Sequence, residues 1–174
     1  MMLATERLIL EKAKESDWAA MLKNVWSRPE CARYMLWNVT KTPEEARARM
    51  RRTIAFQKEH DTYLVYLRQT CEAIGFAGVE ETEPGTCQEM GICLGSSYWG
   101  QGLGKEILGC LMDYSRAAYG AERFLYSARE ENAASNALAL SMGFTPAGSE
   151  VRMDPRDGRE YRMLFYRIIL EKKA

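Results

Sequence analysis

Histidine is almost absent from this 174-residue sequence, in which His60 is the only one. A Ser-His-Asp triad or a zinc site that uses histidine therefore has little to draw on, and we predict no metal site. The cysteines are odd in number, five residues without a C-x-x-C pair. Reduced and mostly buried thiols in a cytoplasmic protein are the expected state.

Net charge is absent as well, because 24 basic and 24 acidic residues cancel. The sequence has no global field to recruit nucleic acid or an anionic membrane, although a local patch remains compatible with it. No apolar run approaches the length of a transmembrane helix, and residues 1–15 lack the apolar core of a signal peptide. We expect one domain over residues 1–174, with neither a membrane nor direct nucleic acid as a partner.

Strand-like and helix-like runs alternate along the chain without a linker or a repeat. Thr42 and Pro43, followed by two acids, are typical of a helix start. The order predicts a mixed α/β or α+β sheet. The expected helices span roughly 16–27, 42–58, 103–119 and 132–142, and the expected strands span 8–10, 62–67, 73–80, 88–94, 124–127, 145–153 and 161–169.

The second of these helices carries four arginines, Arg47, Arg49, Arg51 and Arg52. They could bind an acidic acceptor. A solvated helix face is the favoured interpretation, because Glu45 and Arg49 have the i,i+4 spacing of a weak ion pair.

Three glycines stand at alternate positions in the most distinctive segment, which we call the glycine loop: Trp99-Gly100-Gln101-Gly102-Leu103-Gly104-Lys105. The first N–H groups of a helix lack backbone partners, and the helix dipole adds partial positive charge there. Glycines let the loop turn its own N–H groups toward the same point, because no Cβ blocks the approach. The pattern predicts a backbone site for a phosphate or pyrophosphate, with a ligand-free turn as the alternative.

Two nucleotide-binding templates fail on this loop. G-x-G-x-x-G places its third glycine on Lys105 or Ile107, depending on the glycine that starts it. G-x-x-x-x-G-K-[ST] fails because Gly104-Lys105 is followed by Glu106 and its first glycine would be Trp99. Neither motif supports a nucleotide-dependent enzyme.

The loop instead resembles the acyl-coenzyme A loop of the GNAT superfamily of N-acetyltransferases, Arg/Gln-x-x-Gly-x-Gly/Ala. Gly102 and Gly104 match its two small positions, and Trp99 stands where Arg or Gln is usual. Trp-Gly-x-Gly is typical of the branch that resembles ribosomal-protein N-terminal (alanine/serine) acetyltransferases. Two further segments are similar to that branch: Thr5-Glu6-Arg7-Leu8-Ile9-Leu10, and Asn132-Ala133-Ala134-Ser135 followed by Met142-Gly143-Phe144.

The resemblance implies a GNAT-like α/β (α+β) fold, a central mixed, mostly antiparallel sheet of about seven strands flanked by about four helices. It implies acetyl-CoA as the acyl-donor cosubstrate, attacked directly by the amine without an acyl-enzyme. Backbone N–H groups at the end of the strand before the loop would bind the thioester oxygen. The implied cofactor-binding residues are Ile92, Cys93, Leu94, Trp99, Gly100, Gln101, Gly102, Leu103, Gly104, Lys105 and Asn132.

Two residues are the catalytic candidates. Glu89 opens the strand that ends at the cofactor and is the candidate base, directly or through a water; the alternative is an exposed acid at a strand start. Many relatives carry, four positions before the Gly-Phe pair, a tyrosine that protonates the leaving thiolate, but Ala139 stands there. The branch suggests Ser135 instead, with helix packing as its alternative role. Cys93 is not expected to be a nucleophile, because it lies in an apolar strand without a nearby histidine.

The acceptor is expected to be an α-amine or another weakly basic amine. An α-amino pKa near ~8 leaves on the order of a tenth neutral at pH 7, whereas a lysine near ~10.4 costs roughly 3 kcal/mol more to deprotonate. The resemblance places Trp26, Tyr34 and Trp37 in one wall of the acceptor cleft, although core packing would also explain each. A small-molecule amine acetyltransferase and a non-catalytic coenzyme A-binding module are the alternatives, and relatives occur as monomers and as homodimers.

Overall fold

The computed structural model describes residues 2–170, which form one sheet with helices on both faces. The strands are β1 (Leu3–Ala4), β2 (Leu8–Glu11), β3 (Thr62–Leu67), β4 (Ala73–Glu83), β5 (Thr86–Leu94), β6 (Arg123–Arg129), β7 (Thr145–Met153) and β8 (Glu160–Ile169). The α-helices are α1 (Trp18–Met21), α2 (Pro29–Ala32), α3 (Pro43–Gln57), α4 (Leu103–Tyr119) and α5 (Ala133–Ser141).

The strands lie in the order β1-β2-β3-β4-β5-β6-β8-β7, and every neighbouring pair is antiparallel except β5 and β6. The predicted class, a mixed and mostly antiparallel α/β sheet, is confirmed. The predicted counts of about seven strands and four helices are slightly low, since residues 2–170 form eight strands and five α-helices. The two elements without a predicted counterpart, β1 and α2, have 2 and 4 residues and are too short to show a hydrophobic period.

Helix α3 begins as the sequence predicts. The Thr42 hydroxyl accepts a hydrogen bond from the Glu45 N–H at 3.2 Å, and the Glu45 carboxylate accepts one from the Thr42 N–H at 3.3 Å. The Glu45 carboxylate also accepts a bond from the Lys41 N–H at 2.7 Å. Glu45 is therefore occupied at the helix cap, and the predicted ion pair with Arg49 is wrong.

The two faces of the sheet carry separate apolar clusters. Helices α4 and α5 cover one face, where Leu103, Ile107, Leu108 and Leu111 of α4 are buried. Helices α1 and α3 cover the other, with Met50 buried at its centre. Within residues 2–170, no helix combines the length and the apolarity that a membrane crossing requires.

The parallel strands β5 and β6 separate soon after they begin. They pair only where Thr86–Gln88 face Arg123–Leu125, although β5 continues to Leu94 and β6 to Arg129. A bulge in β5 at this point explains the separation. Ile92 pairs with Ala77 and Glu89 pairs with Val79, so β5 has one residue more than β4 between these two pairs. Within the bulge Gly91 has a φ of 95°, which favours glycine. We call the resulting opening the β5–β6 gap.

Candidate active site

Glu89 lies where the β5–β6 gap opens and is only 7% exposed. One carboxylate oxygen accepts hydrogen bonds from the Ser127 N–H at 3.3 Å and the Ser127 hydroxyl at 3.4 Å, and the other accepts one from the Gly91 N–H. Burial raises the pKa of the Glu89 carboxyl, and these bonds oppose that shift only in part. The alternative of an exposed acid is wrong, because the Glu89 carboxyl is buried and its pKa is raised above the usual range of a glutamate.

Tyr126 on β6 is a residue of this site that the sequence analysis missed. Its ring is 4% exposed, and burial raises the pKa of its phenol to about 12. The charge of Glu89 acts in the same direction, while the nearby Ser135 side chain opposes it. Tyr126 thus lies near both catalytic candidates, Glu89 and Ser135. In the sequence it is one aromatic residue of a strand, and nothing marks it as part of a site.

Ser135 and Asn132 meet at the start of α5. The Asn132 side-chain oxygen accepts a hydrogen bond from the Ser135 N–H at 3.2 Å, so Asn132 caps the helix as predicted. The Ser135 side chain is half-buried. Ala139 is fully buried one turn further on, so the position that carries a tyrosine in many relatives has no hydroxyl here.

The glycine loop turns sharply into α4. Gly100 and Gly102 have φ values of 73° and 77°, and α4 begins after Gly102 without a side-chain cap. The first N–H groups of α4 are therefore free of a capping side chain, as an anion site requires. Leu103 is 2% exposed, so only its backbone can face a ligand, whereas Lys105 is exposed.

Gly104 has a different role from the other two glycines. A Cβ at this position would lie 3.3 Å from the Leu138 side chain. The missing side chain therefore allows α4 to approach α5, in addition to any contact with a phosphate.

Two side chains of the loop fold back on the chain before it. The Trp99 indole N–H donates to the Leu94 carbonyl at 2.8 Å, although half of the residue is exposed. The Gln101 amide donates to the Ser97 carbonyl at 3.1 Å. Trp99 thus fixes the position of the glycine loop relative to the end of β5.

The end of β5, Ile92, Cys93 and Leu94, pairs with β4 on one side, and on the other it borders the β5–β6 gap. Cys93 is buried against Cys31 on the opposite face of the sheet from α4. Interaction with the Cys31 thiol, followed by burial, raises the pKa of the Cys93 thiol well above its usual range. A thiol that stays protonated is a poor nucleophile, which agrees with the prediction for Cys93.

A cavity of about 560 Å³ lies between α3 and the strands β3 to β5. Trp26 and Trp37 line it, and so we call it the tryptophan cavity. Tyr34 does not line it; its ring lies under Arg33, with 5.2 Å from the guanidinium carbon to the ring centroid. Met90, the residue after Glu89, belongs to the cavity wall, so the wall and the candidate base are adjacent in β5. Arg49 and Arg52 are also among the lining residues, although a solvated face is the interpretation favoured for them in the sequence, and so are Phe56 and Phe76, which the sequence does not single out.

The segment that carries Trp37 is held by the turn between β7 and β8. Arg156 in this turn donates to the carbonyls of Ala32 at 2.9 Å and Trp37 at 3.2 Å. Its guanidinium is itself fixed by Asp154 at 2.7 Å, which also pairs with Arg129 at 2.8 Å. These ion pairs hold the pKa of Asp154 far below its usual range, and the pair with Arg156 has the largest effect.

Comparison with known proteins agrees with this geometry. Residues 7–145 match the family described as acetyltransferase (GNAT) domain. The match covers most of the chain, and the chain therefore belongs to the GNAT family. It is an acyl-CoA-dependent N-acetyltransferase.

Individual relatives cover the chain nearly end to end. YoaA, an uncharacterized N-acetyltransferase of Bacillus subtilis (strain 168), is 26% identical over 170 residues, 96% of each chain. RimL, a ribosomal L7/L12 alpha-N-protein acetyltransferase solved with coenzyme A, is 25% identical over 98% of each chain, with a TM-score of 0.77. An acetyl transferase of Salmonella typhimurium that modifies the N-terminal serine of ribosomal protein L7/L12 has a TM-score of 0.79. It is 24% identical over 98% of this chain and 100% of its own. These neighbours support the branch that the sequence indicated.

Proposed function

We propose that this enzyme acetylates the α-amino group at the N-terminus of a protein. The observation that carries the proposal is the buried Glu89 carboxyl where the β5–β6 gap opens, one residue before Met90 of the tryptophan-cavity wall. The similarity to RimL, whose name states that it is an α-N-protein acetyltransferase, supports the same acceptor class.

The residues present fit acetyl-CoA. The backbone of the glycine loop, with two left-handed glycines before an uncapped helix, would bind the pyrophosphate. The pantetheine arm would enter the β5–β6 gap beside Ile92–Leu94, where backbone N–H groups would bind the thioester oxygen. Asn132, at the start of α5, would contact the same arm.

The chemistry requires two proton transfers. Glu89 accepts a proton from the acceptor ammonium, directly or through a water, and the neutral amine attacks the thioester carbonyl carbon. The carbon–sulfur bond then breaks, the nitrogen loses its second proton as the amide forms, and the Ser135 hydroxyl relays that proton to the departing sulfur. Tyr126, whose phenol lies close enough to Ser135 for that side chain to influence its pKa, positions the hydroxyl.

The pKa of the acceptor favours an α-amine. An α-amino group is on the order of a tenth neutral at pH 7, whereas a lysine costs roughly 3 kcal/mol more to deprotonate. The site offers one buried carboxyl, and the chain's single histidine stacks on Phe56 at the end of α3. A weakly basic amine suits such a site better than lysine does.

Thiol release from acetyl-CoA tests the proposal. Short peptides with free N-termini are compared with the same peptides N-blocked and carrying an internal lysine. Release with the free N-termini alone is the expected result. Release only with small amines or an aminoglycoside would replace the proposal with the small-molecule alternative.

A further inference from the structure

Arg49 occupies an unusual position in the tryptophan cavity. Its guanidinium carbon lies 4.7 Å from the ring centroid of Trp26 and 4.3 Å from that of Trp37. One N–H group donates to the Thr40 hydroxyl at 3.0 Å. The charge is thus held between two indole rings at the wall of the cavity.

No carboxylate balances this charge within the described residues that line the cavity. None of the lining residues is Asp or Glu, and a second arginine, Arg52, is among them. Glu45, which has the spacing to pair with Arg49, is occupied at the cap of α3. Burial, together with the like charge of Arg52, lowers the pKa of Arg49 to about 10. A cavity with two positive charges and no lining acid is complementary to an anion.

Arg47, on the same helix, is an arginine that stacks on a tryptophan without facing the cavity, and it serves as a comparison for Arg49. Its guanidinium also lies over an indole, 4.2 Å from the centroid of Trp18. Arg47, however, lies outside the cavity and is 3.7 Å from Glu44 on the solvent side. Stacking on tryptophan is therefore compatible with an ordinary ion pair on this helix, and Arg49 differs by facing the cavity without one.

The neighbouring polar groups are also short of partners. Within residues 2–170, the Trp37 indole nitrogen and the Thr62 hydroxyl are buried without a hydrogen-bond partner, and both residues line the cavity. An indole N–H can only donate, and a guanidinium can only donate. The indole and guanidinium donors among the lining of the cavity therefore suit a ligand that accepts hydrogen bonds.

We propose that Arg49 binds a carboxylate carried by the acceptor, so that the enzyme selects amines borne by acidic molecules. The inference rests on the proposed function and names its substrate class. An acidic side chain close to the N-terminus of a protein would supply the carboxylate. A free amino dicarboxylate would supply the same chemistry. Charge-assisted hydrogen bonds of guanidinium to carboxylate are among the stronger polar contacts in proteins.

The test is the ratio of kcat/KM for matched acidic and neutral acceptors. Peptides that begin Ser-Glu are compared with peptides that begin Ser-Gln. A second pair of peptides differs by Glu against Gln at the third residue, and a third comparison sets free aspartate against free asparagine. We expect the wild type to favour the acidic member of at least one pair by about tenfold to a hundredfold. Arg49→Gln should bring that ratio to within about twofold of one, while Arg47→Gln, the matched control, should leave it unchanged.

The ratio separates specificity from folding, because a purely structural loss lowers both members of a pair together. Arg49→Lys, which keeps a charge, should retain part of the preference even if Arg49→Gln fails to fold. A preference for the acidic member that is seen only with free amino acids would support carboxylate binding by Arg49 and would contradict the proposal that the acceptor is a protein N-terminus. Equal rates for acidic and neutral acceptors, no turnover of any acidic acceptor, or an unchanged ratio in Arg49→Gln would overturn the inference.

Discussion

Arg7 and Glu106, 99 residues apart in the chain, form an ion pair across the start of helix α4, with 2.8 Å between Nε and Oε2. The Thr5 hydroxyl and the Arg7 N–H donate to the same carboxylate, and the Arg7 guanidinium also donates to the Gln101 carbonyl at 2.9 Å. Desolvation opposes ionisation of Glu106, but these hydrogen bonds outweigh it and lower its pKa. The segment before β2 thus fixes the glycine loop, which gives the Thr5–Leu10 motif a physical role.

Arg7→Ala should weaken acetyl-CoA binding. The substitution releases the Gln101 carbonyl and leaves the negative charge of Glu106 unbalanced beside the proposed phosphate site. We expect the KM for acetyl-CoA to rise by about tenfold while stability changes by less than about 1 kcal/mol, because the pair is partly exposed. Arg123→Ala is the control, since Arg123 pairs with Glu83 at 3.5 Å away from the loop. An unchanged KM would show that the ion pair does not support the cofactor site.

Gly102→Ala and Gly120→Ala form a matched pair at the two ends of α4. Both glycines have left-handed φ values, 77° and 61°, so each substitution should cost about 1 kcal/mol of strain. Only Gly102 lies at the proposed phosphate site. Calorimetric titration with coenzyme A should show lost affinity for the Gly102 variant alone, and equal affinities would remove the phosphate site from this loop.

Glu89→Gln should lower kcat by a factor of about 10² to 10⁴, the usual contribution of a general base, with little change in the KM for acetyl-CoA. Because burial raises the pKa of Glu89, the basic form accumulates only as the pH rises through that raised value. Wild-type kcat/KM should therefore show an acidic limb with contributions from both Glu89 and the acceptor amine. The residual activity of the variant should follow the amine alone. Identical pH profiles would exclude Glu89 as the base.

Ser135→Ala should lower kcat by more than Tyr126→Phe if Ser135 serves the leaving sulfur and Tyr126 positions it. The two effects should be less than additive in the double variant, because the two side chains are neighbours and serve the same proton transfer. An acyl donor with a more acidic thiol should rescue the Ser135 variant preferentially. Full additivity, or no loss in Ser135→Ala, would contradict the assignment.

Arg156→Gln should affect the acceptor side only. Without this side chain, the Ala32 and Trp37 carbonyls lose their contact with the β7–β8 turn. We expect a higher KM for the acceptor and an unchanged KM for acetyl-CoA. Arg159→Gln, in the same turn and paired with Asp157 at 2.7 Å, is the control. A parallel rise in both KM values would indicate general loosening instead.

The elements with long periodic patterns could be predicted from the sequence. The bounds of α4 agree with the prediction to the residue because periodic apolar positions and a flanking glycine mark its ends, and those of β7 agree because Gly143 and the turn at Asp154–Gly158 flank it. The bulge in β5 could not be predicted, because it depends on pairing with β4. The predicted α1 helix spans a 3-10 turn, four α-helical residues and a π-helical segment, which no local pattern distinguishes.

The candidate site was predictable where the motif is local. The glycine loop and the Asn132 cap lie within single segments. Helical spacing favours a solvated face for Arg49, because it does not show that Glu45 is used by the cap or that two indole rings lie against the guanidinium. Tyr126 was missed for a similar reason, since its partners come from β5 and α5.

The position of the acetyl group on a peptide with two amines shows whether the enzyme acetylates an α-amino group or a lysine. A peptide with a free N-terminal serine and an internal lysine is incubated with the enzyme and acetyl-CoA at pH 7, and fragmentation in a mass spectrometer locates the acetyl group. We expect acetylation of the α-nitrogen and no modification of the lysine. Acetyl on the lysine, or no transfer to a series of such peptides while a small amine is acetylated, would contradict the proposed function.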